Sequence, residues 1–425
     1  MNPTAVKPLP HIVVIGAGFA GLNFCKKFTS QRARITLIDR QNHHLFQPLL
    51  YQVAAAGLSA VDIAQPVRAI LSQKPNLTVL MAEVSRCDLA AREVHLRDHG
   101  PIGYDYLVLA LGAVTSYFGH DEWARFAPGL KSLDDALKIR REILLAFERA
   151  EGEPDERKRK ELMTIVVIGG GPTGVELAGT FAELTRTVLE KDFDRIDPAK
   201  ARVLLVEGGP RVLSAFPPGL SASAQRQLEQ LGVEVRTGVQ VTAIRDGEVA
   251  VGGEVIRAAN IIWGAGIAAH PLTRTLGVET DRAGRLKILA DLSLPGHPEV
   301  FALGDLAVLS DANGRTVPGI APAALQMGRH AAKVIGDELA RGGPGTAKRA
   351  AFAYCDKGSM ATIGRSKAVA TVGRLQFSGY PAWIAWLSVH LIFLIGFRNR
   401  LSVLIQWTYS YLTYKRGARV ITGAR

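Results

Sequence analysis

Cysteine is scarce in this chain: Cys25, Cys87 and Cys355 are the only three in 425 residues. They form no CxxC or CxxxxC pair, which excludes a dithiol redox centre and a zinc cluster, and no metal site is expected. Any electrons this protein moves must therefore ride on a bound cofactor. Met1 to Pro10 carries no apolar core, so no secretory signal is visible, and a catalytic body on the cytosolic side is expected. Acidic residues nearly vanish after Arg341. From there to Arg425, Asp356 stands alone against 13 Lys and Arg, which matches the +12 excess of the whole chain and leaves the preceding part neutral. Long apolar runs are missing too. The segment Pro381 to Phe397 has 17 residues, about 25 Å of helix at roughly 1.5 Å per residue, short of the ~20 residues of a membrane span.

Glycine is plentiful. With 43 glycines and 48% hydrophobic residues, the composition suits an α/β protein with buried parallel strands, and the length allows two or three domains. Two glycine-rich loops each follow a short aliphatic run: His11-Ile-Val-Val-Ile-Gly16-Ala-Gly18-Phe-Ala-Gly21 and Thr164-Ile-Val-Val-Ile-Gly169-Gly-Gly171-Pro-Thr-Gly174. Each reads as a buried strand, a tight turn and a helix start, where backbone N–H groups and the helix dipole hold a pyrophosphate. One such loop is weak evidence, because glycines also serve ordinary turns. Here both are followed by a later strand that ends in an acid, Ile35-Thr-Leu-Ile-Asp39 and Val203-Leu-Leu-Val-Glu207. A carboxylate in that place accepts hydrogen bonds from a ribose hydroxyl. The 38 residues from Gly169 to Glu207 exceed the usual spacing of about 20, and Lys191 to Pro198 reads as the extra loop. Two dinucleotides in one chain point to a flavin that takes hydride from a nicotinamide.

Two further strand-like runs complete the plan. Tyr104 to Gly112 ends in a small-residue turn, and Gly296 to Asp305 ends in Gly304-Asp305, whose carboxylate either faces a flavin ribityl chain or caps a helix. The charged stretch Glu148 to Glu161 reads as a solvated linker or helix end. The expected architecture is an FAD-binding domain over 1–120 and 290–345, an NADH-binding domain inserted at 121–289, and a C-terminal region at 346–425.

That last region has the make-up of a membrane anchor. Tyr380 to Phe397 holds Trp383 and Trp386 without a charge, and Arg398 and Arg400 follow. From Leu401 to Tyr414, Ser402, Gln406, Ser410 and Thr413 share one helical face, while Leu401, Leu404, Ile405, Tyr411 and Leu412 gather on another. Lys415, Arg416 and Arg419 close it. Tryptophans, an apolar face and flanking cations describe a segment lying in a membrane interface with anionic lipids. A buried core helix pair and a true span are the competing readings, and His390 and Ser388 in the middle of the run argue against spanning. No nucleic-acid partner is expected.

On these residues the chain resembles the type II NADH:quinone oxidoreductases, the non-proton-pumping NADH dehydrogenases of the two-dinucleotide-binding-domain flavoprotein superfamily. The resemblance covers essentially the whole chain. It rests on both glycine loops, on His43-His-Leu-Phe-Gln-Pro-Leu-Leu-Tyr51, Ala302-Leu-Gly-Asp305 and Gly358-Ser-Met-Ala-Thr-Ile-Gly364, and most specifically on Ala385 to Arg400. It implies FAD as cofactor, NADH as substrate, a quinone (ubiquinone or menaquinone) as acceptor, and a peripheral place on the cytoplasmic face of the inner membrane in a respiratory chain. It leaves a homodimer open. It places FAD on Gly16, Gly18, Phe19, Ala20, Gly21, Asp39, Arg40, Val84, Ala110, Gly112, Gly304 and Asp305, with Gln47, Pro48, Ala323 and Ala324 edging the flavin ring. NADH falls to Gly169, Gly171, Pro172, Thr173, Gly174 and Glu207, with Gly264, Ala265 and Gly266 beside its nicotinamide half. Glu176 and Gln326 take the catalytic places. The family's Ala-Gln-x-x-x-Gln quinone motif reads Ala321-Pro322-Ala-Ala-Leu-Gln326 here, so Gln326 matches the second glutamine and Pro322 replaces the first. Glu176 has an ordinary reading as well, a first-turn acid that complements the helix dipole. His43 and His44 receive no role.

Other readings stand beside this one. A flavin reductase for a soluble acceptor uses the same loops but needs no tryptophan-bearing apolar run. A sulfide:quinone oxidoreductase needs catalytic cysteines that this chain lacks. A non-enzymatic redox sensor that binds NADH or nucleic acid calls for a basic tail interleaved with exposed aromatics.

Overall fold

The computed structural model describes residues 8–310, 314–413 and 418–421, apart from the side chains of Phe397 and Leu412. Lys415, Arg416 and Arg425, three of the cations read at the C-terminus, lie outside the described residues. The chain folds as an α/β protein of two compact units.

The first unit holds the chain up to His44, Gln65–Val114 and Ile267–Asp356. Its sheet runs in the order Ser293–Leu294, His297–Ala302, Tyr106–Leu109, His11–Ile15, Arg34–Asp39, Leu77–Met81, parallel except for the first pair. Every residue of His11–Ile15 and Tyr106–Leu109 is buried, because both faces of the parallel sheet are covered, one of them by the strands Val84–Asp88 and Glu93–Leu96 through Cys87, Val94 and Leu96. The helices Phe19–Lys27 and Ala321–Arg341 pack closely. Gly328 permits the approach: a Cβ there would stand 2.3 Å from the carbonyl oxygen of Ala20.

The second unit holds Leu45–Ala64, Thr115–Gly266 and the chain from Lys357. Its parallel sheet has the order Val233–Thr237, Arg202–Glu207, Thr164–Ile168, Asn260–Trp263. The helix Leu133–Gly152 begins at a capping box between Ser132 and Asp135. Three antiparallel strands, Ser359–Gly364, Lys367–Val372 and Leu375–Ser378, precede the helices Tyr380–Phe393 and Phe397–Thr413. The helix Pro172–Glu183 lies so close to the first of these strands that a Cβ on Gly179 would overlap the carbonyl oxygen of Ile363.

These boundaries depart from the sequence reading in an instructive way. The chain passes between units at 114/115 and 266/267, where the sequence reading put 120/121 and 289/290. It does so because Leu272, Leu276 and Leu286 join the buried cluster of Val13, Ile15 and Leu107 in the first unit. The C-terminal segment starts at Lys357 and is part of the second unit's compact body. Among the described residues, no helix is long and apolar enough to cross a membrane.

Candidate functional site

Both glycine loops are built alike. Gly16 and Gly169 have φ near +101° and +105°, the left-handed region that a side chain would strain, and each supports the strand-to-helix turn. Gly21 and Gly174 sit against the carbonyl oxygens of Gly16 and Gly169 with no room for a Cβ. The middle glycines differ. A Cβ on Gly18 or Gly171 would meet nothing within 4 Å, so the side toward a ligand is open. Gly18 and Gly171 also serve as the helix N-caps, with no side-chain cap and no acid in the first turn of either helix. A helix start left without an internal anion has free N–H donors and a positive dipole end, which is the chemistry a pyrophosphate needs. The residues present fit a dinucleotide at each loop.

The two acids lie where the reading put them and do a second job. Asp39 Oδ2 accepts the Ala17 N–H at 2.6 Å and Oδ1 the Gln41 N–H at 2.7 Å. Glu207 accepts the N–H groups of Gly170 and, at 2.6 Å, Gly209. Each carboxylate thus braces its own glycine loop and keeps a lone pair on each oxygen for a ribose hydroxyl. Burial raises the Asp39 carboxyl above its usual range, against the Ala17 and Gln41 N–H groups that lower it.

Around the first loop the structure brings together Gly16, Gly18, Phe19, Ala20, Gly21, Asp39, Ala110 and Gly304. The Ala110 carbonyl lies under Gly16, and Gly304 faces Ala20 and Ala324. The Gly304 N–H points at the Met327 sulfur, 3.1 Å away. His44 is buried on the same loop, its Nδ1 paired with the Ala17 carbonyl at 2.9 Å, and burial drops its pKa to about 4. Around the second loop lie Gly169, Gly171, Pro172, Thr173, Gly174, Glu207 and the turn Gly264-Ala265-Gly266; Ala265 packs on Gly169, and Gly264 on Gly174. Gln47 and Pro48 form a short turn in the second unit, where the Gln47 amide donates to the Lys131 carbonyl at 3.1 Å.

Glu176 and Gln326 take unexpected settings. Glu176 is the fifth residue of its helix, and that helix has no acid in its first turn, so it does not serve the dipole role. Burial pushes its carboxyl up to about 8, while a hydrogen bond from the Thr362 backbone pulls the other way. Gln326 gives both ends of its amide to one residue: Nε2 donates to the Cys355 carbonyl at 3.0 Å, and Oε1 accepts the Cys355 N–H at 2.9 Å.

Sequence reasoning missed an aromatic cleft inside the second unit. Tyr51, Trp383, Trp386, Trp407 and Tyr411 line it with Thr180, Glu183, Thr362 and Arg365. Trp407 Nε1 donates to Gln52 Oε1 at 2.9 Å, and Gln52 Nε2 donates to the Tyr51 hydroxyl at 2.8 Å. Burial first, then the Glu176 charge, raises the Tyr51 phenol. Thr362 and Thr180 tie this cleft to Glu176, the first through its N–H and the second through Oγ1, which donates to the Glu176 carbonyl at 2.7 Å. The aromatic residues were visible in the sequence, but nothing local marked them as neighbours.

The C-terminal helix is turned opposite to a helix on a soluble surface. Two of its polar side chains face the protein: Ser402 Oγ and Gln406 Nε2 donate to the buried Asp62 carboxylate at 2.8 and 2.9 Å, whereas Thr408 and Thr413 are exposed. Val403 and Trp407 are buried beside them, whereas Leu401, Leu404, Ile405 and Tyr409 are exposed, Ile405 by 58%. The preceding helix also exposes Tyr380, Ile384, Ile392 and Phe393, with Ile392 at 65%.

Similarities to known proteins agree with this geometry. Residues 10–328 match the pyridine nucleotide-disulphide oxidoreductase family, and residues 357–415 match the NDH2 C-terminal domain. The chain is 45% identical over 434 residues to the type II NADH:quinone oxidoreductase Ndh of Mycobacterium tuberculosis, covering 99% of this chain and 92% of that one. It is 29% identical to the mitochondrial internal alternative NAD(P)H-ubiquinone oxidoreductase A1 of Arabidopsis thaliana, covering 97% and 86%. In fold it is similar to NDH2 from Plasmodium falciparum solved in complex with NADH, with a TM-score of 0.89 at 21% identity, covering 97% of this chain and 100% of that one.

Proposed function

The chain belongs to the type II NADH:quinone oxidoreductases, and on that premise we propose how its residues divide the work of carrying electrons from NADH through FAD to a quinone. FAD, when bound, supplies the two-electron carrier between nicotinamide and quinone. The first glycine loop, Asp39, Ala110 and Gly304 hold it, with Ala323 and Ala324 at its ring. The second loop, Glu207 and Gly264 to Gly266 hold NADH. Quinone reduction also takes up protons. Glu176 carries one near neutral pH because burial raises its pKa to about 8. The aromatic cleft beside it suits an apolar quinone with a long tail. Within the first unit, Gln326 would act by setting the Cys355 main chain.

The protein attaches to the cytoplasmic leaflet as a peripheral enzyme. One observation carries this: the helix Phe397–Thr413 gives Ser402 and Gln406 to Asp62 and leaves Leu401, Leu404 and Ile405 outside. In water that arrangement wastes the hydrophobic effect. In a lipid interface it gains roughly 25 cal/mol per Å² of apolar surface buried. Basic residues nearby suit anionic headgroups. The test is co-sedimentation with vesicles containing anionic lipid. Leu404→Glu with Ile405→Glu should release the protein and depress turnover with a long-tailed quinone, while a short water-soluble quinone is still reduced. Full retention of the double variant on the vesicles would remove the attachment reading.

A further inference from the structure

Phe118 is held in a conformation and an exposure that its own packing does not explain. Its φ is +54°, in the left-handed region where a residue with a bulky side chain is an outlier. The residue is 69% exposed, although Tyr117, Trp123 and Trp263 nearby are buried. A strained, exposed aromatic gains nothing from folding and persists only where the surroundings hold it.

Those surroundings belong to the second dinucleotide loop. The Ser116 N–H donates to the Gly266 carbonyl at 3.3 Å, and Trp263 Nε1 donates to the Ser116 carbonyl at 2.9 Å. The Phe118 ring stands edge-on to Trp263, with centroids 6.2 Å apart. It also covers Gly266 so closely that a Cβ there would lie 2.5 Å from the ring. The turn Gly264 to Gly266 abuts Gly169 and Gly174, so Phe118 is fixed beside the loop itself.

Strand order says which half of a dinucleotide lies there. In the second unit's sheet, Thr164–Ile168 is flanked by Arg202–Glu207 on one side and Asn260–Trp263 on the other. A pyrophosphate at the loop after the central strand, with the adenosine ribose on Glu207, sends the other half toward the end of Asn260–Trp263. That end is the turn under Phe118. We propose that Phe118 is the ring against which the nicotinamide riboside half of NADH packs, a substrate-binding residue that orients the reacting end of the dinucleotide. This rests on the assignment of the second loop to NADH.

The two claims are separable by calorimetric titration of the FAD-loaded protein with NAD⁺ and with ADP-ribose, which lacks nicotinamide. Phe118→Ala should weaken NAD⁺ binding by roughly three- to tenfold and leave ADP-ribose within about twofold, as expected for one lost aromatic contact. Phe118→Tyr should restore NAD⁺ affinity. Gly171→Val serves as the control for the site, since its Cβ enters the open pyrophosphate cradle, and it should weaken both ligands. Unchanged NAD⁺ affinity in Phe118→Ala, or equal weakening of NAD⁺ and ADP-ribose, would overturn the role of Phe118 while the site stands. Unchanged affinity for both ligands in Gly171→Val would overturn the site and the proposal with it.

Discussion

Single carboxylates carry much of the chemistry, each through its surroundings. Glu176 has its pKa raised to about 8 by burial, so it holds a proton at neutral pH and releases it above. The rate of quinone reduction should therefore fall through an apparent pKa near 8, and Glu176→Gln should flatten that limb of the profile; an unchanged limb would assign it to another group. A stability consequence follows by linkage. A carboxyl whose folded pKa exceeds its unfolded value stabilises below the unfolded value and loses that contribution as pH rises through the folded one. Glu176→Gln should gain in melting temperature relative to the parent between pH 5 and pH 9. Glu207 acts differently: it braces Gly170 and Gly209, and in the proposed NADH site its charge would also oppose the phosphate of NADPH. Glu207→Gln should narrow the kcat/KM preference for NADH and raise KM for both cofactors as the loop loosens. Comparable kcat/KM values for NADH and NADPH in the parent would contradict this. Asp39 and Glu207 were legible in the sequence, since each ends a strand beside its own loop. The raised pKa of Glu176 was not, because the Thr362 strand that buries it lies far along the chain.

At the scale of elements, local pattern read well and long-range pairing did not. Buried parallel strands announce themselves as aliphatic runs, and strand, turn and helix are contiguous in each glycine loop. The faces of the helix Phe397–Thr413 were readable in part. Ser402 and Gln406 lie opposite Leu401, Leu404 and Ile405, but Tyr411, read on the apolar face, packs inward on Trp383, and Thr413, read on the polar face, is exposed. Which face met protein depended on Asp62, hundreds of residues earlier, and no periodicity reveals that. Tyr51, Gln52 and Trp407 are hidden in the same way. Asp62 is buried and accepts from Ser402, Gln406 and the Ser59 N–H, the last at 2.8 Å. Asp62→Ala should cost about 2–4 kcal/mol, since it leaves buried donors unpaired. The check is urea unfolding together with limited proteolysis, which should cut the C-terminal helices sooner. Unaltered stability and cleavage would mean that Asp62 does not pin the helix. Deleting both helices is a poorer probe of attachment, because Trp386 and Trp407 are buried and their loss opens the second unit.

Over the whole molecule, the +12 charge is less free than a count suggests. Arg349 is paired with Asp291 and with Glu338, whose carboxylate is fully buried and also accepts from the Tyr106 hydroxyl at 3.0 Å. Arg419 pairs with Asp192. The proposed attraction to anionic lipid would therefore rest on fewer cations than the 13 in the sequence, with the exposed apolar side chains supplying the rest. Salt of about 1 M should weaken vesicle binding without abolishing it, since screening reaches only the charged part. Complete release by salt alone would make the contact electrostatic. The central claim is that one chain passes electrons from NADH through FAD to a quinone. Anaerobic stopped-flow tests it most directly, with NADH mixed first and a quinone pulse second while flavin absorbance is followed. Bleaching by NADH and full recovery on the quinone pulse, both fast enough to account for turnover, is the predicted result. A flavin that NADH bleaches but quinone leaves reduced would contradict it.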